Sequence, residues 1–272
     1  MSSTVELGPF QPGEWDEVHL ESAPLIRVLA QVRWDELTQF SNARFDEVVQ
    51  ELEQRVAHAY PIKGVNKETQ FNITPQCVSQ SEIGTVYRFS SVEETWRFYF
   101  ASTFATLETT AYTSRDDFCA RFLDLLTAIA EVTSIPRVIR TGYRYVNRVH
   151  EPGDMDELSN EINPLLLGGK NLPGLDDVRV QHTLSETLYA TSKGNLLAKW
   201  AILPPGASID PTIEGVNTNS WMLDLDAFSE RKQPFNPSEL IANTRELSSL
   251  GYGFFRWAVD NPFLQRFGGS TK

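Results

Sequence analysis

Residues 137–149 read RVIRTGYRYVNRV, and the alternation in this stretch decides how the rest of the chain is read. In an extended strand, successive side chains point to opposite faces. Arg140, Gly142, Arg144, Val146, Arg148 and His150 then share one face, and Ile139, Thr141, Tyr143, Tyr145, Asn147 and Val149 share the other. One side is cationic and the other apolar and ring-bearing, which is the pattern of a strand with one face on a core. At a rise of about 3.3 Å per residue, Arg140 and Arg144 stand ~13 Å apart. Gly142 between them leaves room for a ligand or a neighbouring backbone.

Working outward, PLIRVLAQVRW (residues 24–34) alternates in the same way. Ile26, Val28, Ala30, Val32 and Trp34 lie on one face, and Leu25, Arg27, Leu29, Gln31 and Arg33 on the other. A helix follows, with Ser41 or Asn42 as its cap, Phe45, Val48, Val49, Leu52, Val56 and Tyr60 at helical spacing, and Pro61 as its stop. β-branched and aromatic content with short polar joints predicts four strands, near 69–79, 84–91, 95–102 and 105–113. Ser114, with Asp117 three residues on, opens a second helix whose stripe is Phe118, Phe122, Leu125, Ile129 and Val132.

Beyond the central strand the order recurs. A short helix over 154–163 has an acidic first turn, and a loop carries Gly168, Gly169, Pro173 and Gly174. Strands follow near 177–191, 195–204 and 218–228, then a long closing helix from Pro237, which Gly251 and Gly253 are expected to loosen or bend. Strand, helix, three or four strands and helix are thus written twice. This predicts an α+β fold built from a duplicated unit, its antiparallel sheet or sheets covered by helices. The expected divisions are an N-terminal arm over 1–21, a first repeat over 22–134 and a second over 135–272, packed as one body. Phe10 and Trp15 are the residues able to pin the arm.

The 272 residues include 24 Lys plus Arg against 36 Asp plus Glu, a formal charge of −12. That field repels polyanions, so neither nucleic acid nor an anionic membrane is an expected partner. Hydrophobic residues at 41% and charged residues at 22% describe a globular chain large enough to need no disulfide or metal staple. Cys77 and Cys119 form no CxxC pair, and the N-terminus has no basic and apolar leader, so a cytoplasmic location is expected.

Chemistry-bearing motifs are missing. His19, His58, His150 and His182 show no HxxxH spacing, and GxSxG, GxxxxGK[ST] and GxGxxG do not occur. No catalytic residue, metal ligand or cofactor is assigned. Trp96, Phe98 and Phe100 alternate as either a core row or a stacking platform, and Phe254, Phe255, Trp257, Phe263 and Phe267 spread around the closing helix so that some are expected to face a partner.

A constellation of charges remains. The central arginines suit carboxylate or phosphate through planar guanidinium forks, or else pair with acids on neighbouring strands. WMLDLDAF (residues 221–228) puts Asp224 and Asp226 on one face, where they can hold a metal, act as an acid–base pair or satisfy arginines. Without a third ligand, pairing is the expectation, with Arg144 in ion-pair reach of one of them. Arg27 and Arg33 are the positional counterparts on the opening strand. The candidate ligand-binding set is therefore Arg140, Arg144, Arg148, Arg27, Arg33, Asp224 and Asp226.

PLIRVLAQVRW, the mid-chain YRFSS, RTGYRYVNRV and WMLDLDAF resemble a sporadically distributed family of uncharacterised bacterial and phage proteins of about this length. Its most specific part is R-x-G-x-R-Y-x-N, here Arg140, Gly142, Arg144, Tyr145 and Asn147. The resemblance implies no activity, and its patchy distribution implies accessory or defence-associated genes. Where relatives have a His early in the closing helix, this chain has Ser248-Ser249. The expected function is a non-enzymatic binding or interaction protein, an accessory component of a bacterial or phage defence or toxin–antidote system, with a protein partner or a second copy. The alternative is a sensor or enzyme acting on a small anionic ligand in an arginine-lined cleft.

Overall fold

Period-two patterning becomes antiparallel ladders, and period-3.6 patterning becomes the helices beside them. The structure, a computed structural model, describes residues 8–10, 15, 17–40, 43–73, 78–173, 177–178 and 180–270. In chain order the elements are β1 (Leu25–Arg33), α1 (Ala43–Val56), β2 (Ile62–Ile73), β3 (Val78–Ser90), β4 (Trp96–Phe100), β5 (Phe104–Thr109) and α2 (Arg115–Val132). Then come β6 (Arg137–Val138), β7 (Arg140–Val149), α3 (Pro152–Glu161), β8 (Thr183–Thr191), β9 (Gly194–Leu203), β10 (Ser220–Ser229), β11 (Gln233–Pro234), α4 (Pro237–Ala258) and α5 (Asn261–Arg266). The class is α+β. Contacts divide the chain into two units, one of residues 1–27, 144–228 and 246–272, the other of 28–143 and 229–245. The division by contacts falls inside β1, β7, β10 and α4, whereas the division by element order falls between residues 134 and 135.

In the unit of 28–143 and 229–245, strands pair antiparallel in the order β2-β3-β4-β5-β1. Phe89, Phe98, Leu107 and Ala30 form one cross-strand row, each at most 1% exposed. Such rows are the stabilising element of a sheet, since each side chain packs on the next strand's. Trp34 packs against Phe40, Phe100 and Phe235, and its indole Nε1 donates to the Ser102 carbonyl at 2.8 Å. Trp96, Phe98 and Phe100 are thus core residues, with no ring face left for a base. α2 begins as the sequence predicts: the Ser114 hydroxyl accepts from the Asp117 N–H at 3.1 Å.

In the other unit, β7, β10, β9 and β8 are neighbours in that order. One face of these strands meets residues 246–258 of α4. The Tyr145 hydroxyl hydrogen-bonds Ser248 Oγ at 2.7 Å, and Trp200 and Tyr189 pack on Phe254. The arm is pinned as expected, with Phe10 against Tyr189 and Trp15 under the Arg256 guanidinium.

Four expectations change. The strand expected at 69–79 is two strands, because β2 starts at Ile62 and pairs with β3 as far as Ile73 opposite Val78; α1 ends at Val56, ahead of Tyr60 and Pro61, and the residues after Pro61 are extended. Residues 164–171 form a 3-10 turn where a loop was expected. α4 runs unbroken through Gly251 and Gly253; a Cβ at Gly251 would sit 3.3 Å from the Tyr145 ring, so glycine here admits a close neighbour. Phe254, Phe255, Phe263 and Phe267, among the rings of which some were expected to face a partner, are buried against α5 and the arm, and Trp257 is half-buried. Ser41, Asn42, Cys77 and Gly174 lie outside the described residues.

Replacing the α2 cap tests this local reading. Ser114→Ala is expected to lower unfolding stability by about 1 kcal/mol, measured by urea denaturation, because an N-terminal helical N–H loses its acceptor.

Candidate functional site

β7 carries Arg140, Arg144 and Arg148 at every fourth position, and β10 carries Asp224 opposite Lys199 on its other neighbour, β9. The Arg144 guanidinium meets Asp224 side-on, Nε donating to Oδ1 at 2.7 Å and Nη2 to Oδ2 at 2.6 Å. Two parallel charge-assisted bonds of this kind are the strongest arrangement open to the pair. Asp224 is only 3% exposed, so its charge depends on this neighbour.

A second carboxylate completes the cluster. Arg144 Nη2 also donates to Asp210 Oδ2 at 2.8 Å. Asp210 sits in LPPGASIDPTIEGV (203–216), a stretch whose prolines and glycines rule out regular structure. It is held by its own turn: Oδ1 accepts from the Thr212 N–H at 2.8 Å and hydroxyl at 2.7 Å, and its N–H bonds Ser208 Oγ. Arg27 reaches the same place, donating to Thr212 Oγ1 at 2.7 Å and lying 3.9 Å from Asp210 Oδ2. Ile209, Ala207 and Ile213 of this segment pack with Val146, Ala201, Leu203 and Met222, so apolar contacts flank the charges.

Arg27, Arg144, Asp210 and Asp224 thus make a neutral group of two cations and two anions. Burial acts to lower the Arg144 pKa, but hydrogen bonding and the charge of Asp224, with Asp210, override it and hold the guanidinium more firmly protonated. Burial likewise acts to raise Asp210, yet the Thr212 bonds and Arg144 win, and its carboxyl lies below the ordinary range. The expected contact between Arg144 and one of the two aspartates is present, and that aspartate is Asp224. Asp226, two residues on, is half-buried on the same face of β10.

The other candidates are placed differently. Arg148 donates from Nη2 to the Glu214 carbonyl at 2.9 Å, and its buried Nε has no partner among the described residues. Burial lowers its pKa from the usual arginine value. Arg33 and Arg140 fall in the other unit. Arg33 is exposed, with its guanidinium 5.9 Å from the Phe104 ring centre. The space beside Gly142 is taken by Arg140 itself, whose Nη1 lies 2.8 Å from where a Cβ would stand. Asp210 was not singled out from the sequence, although Asp210-Pro-Thr212 carries the signal of a side chain bonding its own backbone two residues on. Among the described residues, no three His, Cys, Asp or Glu side chains converge as a metal site. No helix among them is long and apolar enough to cross a membrane. The chain matches no protein family and no curated protein.

Removing one member should expose the cluster's internal dependence. Arg144→Met is expected to cost about 3–5 kcal/mol by leaving Asp224 buried and uncompensated, and adding Asp224→Leu should recover a large part, both read by urea denaturation. The lowered Asp210 pKa gives a pH signature. Its folded value lies below its unfolded value of about 3.9, so its stabilisation is complete above about pH 4 and is lost as pH falls through the folded value. Asp210→Asn should therefore show a smaller stability difference between neutral and acid solution than the unaltered chain.

Proposed function

We propose that the chain is a non-enzymatic interaction protein. The observation that carries this reading is the filled state of Arg144: the guanidinium best placed to recognise an anion already holds Asp224 side-on and Asp210 end-on. An incoming phosphate or carboxylate would have to displace a carboxylate bonded at 2.6–2.7 Å and leave it buried, which opposes binding. The resemblance of the central R-x-G-x-R-Y-x-N run supports an accessory role of the defence or toxin–antidote kind, and it is the only support for that setting.

One observation favours the second reading, a sensor or enzyme for a small anion. Arg148 is the central guanidinium with a carbonyl rather than a carboxylate as its acceptor and a buried Nε unsatisfied among the described residues. Binding only the native form raises the melting temperature by mass action. A thermal-shift screen of the full chain against nucleotides and phosphorylated metabolites should give shifts below about 1 °C under the interaction reading. A rise of several degrees that disappears in Arg148→Ala would replace it with the second.

A further inference from the structure

β8 ends the strand order of its unit, and its sequence, TLSETLYAT, holds no Lys, Arg or Pro. We propose that β8 pairs antiparallel with the β8 of a second copy of this chain, giving a two-fold symmetric dimer joined through the sheet edge. The proposal rests on the interaction-protein reading and names its partner.

Backbone geometry comes first. β8 and β9 are joined by the two residues Ser192-Lys193, with Thr191 opposite Gly194. The closing pair of such a hairpin is a hydrogen-bonded pair, and bonded pairs recur at every second residue. Thr191, Tyr189, Thr187, Ser185 and Thr183 therefore bond inward to β9. The N–H and C=O groups of Leu184, Glu186, Leu188 and Ala190 point away from it, and no backbone group of the described residues bonds them. A row of alternating donors and acceptors of this length is matched in full by another extended strand.

Side chains point the same way. The four residues with outward backbone groups are also the exposed ones, with Leu184 at 59% and Leu188 at 60%. The edge strand itself has no lysine, no proline and no bulge, the usual protections of an edge, and its register with β9 runs unshifted from Thr183 to Thr191. The edge is also neutral. Its one charge, Glu186, is matched by Lys199 of β9 at 2.6 Å.

Self-complementarity selects a second copy. With the two-fold axis at Glu186, Leu184 of each strand lies opposite Leu188 of the other, giving two cross-strand leucine pairs. The two Glu186 side chains meet at the axis, each neutralised by its own Lys199, so the row reads lysine, glutamate, glutamate, lysine. An edge that is neutral and apolar on both sides suits a copy of itself.

Sedimentation of the full chain from about 1 to 100 µM should show a species of twice the chain mass. Leu188→Pro removes an outward N–H and leaves the β8–β9 bonds intact. Leu184→Lys with Leu188→Lys places four like charges across the axis and decides the matter if the proline variant fails to fold. Each should weaken dimerisation at least ~100-fold with an unchanged circular dichroism spectrum. A chain that is monomeric at the top concentration, or a dimer that survives the substitutions, overturns the proposal. A monomer silent in the anion screen overturns the dimer alone, whereas a monomer that responds to an anion overturns the interaction reading with it.

Discussion

The carboxylate of Asp224, 3% exposed between strands, is the constraint on which its surroundings depend. A charge so far from water is tolerated only when it is paired and hydrogen-bonded. Arg144 supplies both conditions through two bonds, but a guanidinium has donors to spare. Asp210 takes up another and must itself be held in place, which the turn through Thr212 does. Arg27 then restores neutrality. One buried charge on β10 is thus tied through Arg144 to the irregular segment that joins β9 to β10, and that segment brings Ile209 and Ile213 onto Val146 and Met222.

How much of this was legible follows from what each residue does locally. Alternation marks β1, β7 and β10 because a half-buried strand must alternate, and the Arg144–Asp224 contact follows once two alternating strands with opposite charges are set side by side. Asp210 belongs to a segment without period, where nothing local says which strand it will meet. The long β2–β3 hairpin was read as shorter pieces because Lys63, Gly64, Asn66 and Lys67 carry no strand pattern; pairing with β3 holds them extended. Gly251 looks like a helix-weakening residue when read alone, yet the ring of Tyr145, far away in the chain, explains it. The errors share a cause, since each depends on a neighbour that sequence proximity does not supply.

The β7-β10-β9-β8 strands have two faces treated differently. Against α4 the contacts are aromatic, from Phe254 to Trp200 and Tyr189, joined by a buried hydrogen bond between Tyr145 and Ser248. The opposite face carries the charge cluster and the 203–216 segment near β7, and toward β8 it thins to Leu184 and Leu188 beside a single ion pair. The residues that differ from core to edge are therefore on one surface, ordered by distance from Asp224.

Charge placement explains why an acidic chain can present such an edge. Two charge groups on this face are neutral: Arg27, Arg144, Asp210 and Asp224 sum to zero, and so does Glu186 with Lys199. Repulsion between two copies therefore arises from carboxylates elsewhere, and at physiological salt exposed charges farther apart than about 8 Å are largely screened. Short-range terms decide what happens at β8: backbone groups unsatisfied among the described residues, two exposed leucines and a matched ion pair. Each of these favours a strand, and none discriminates against a copy of the same strand.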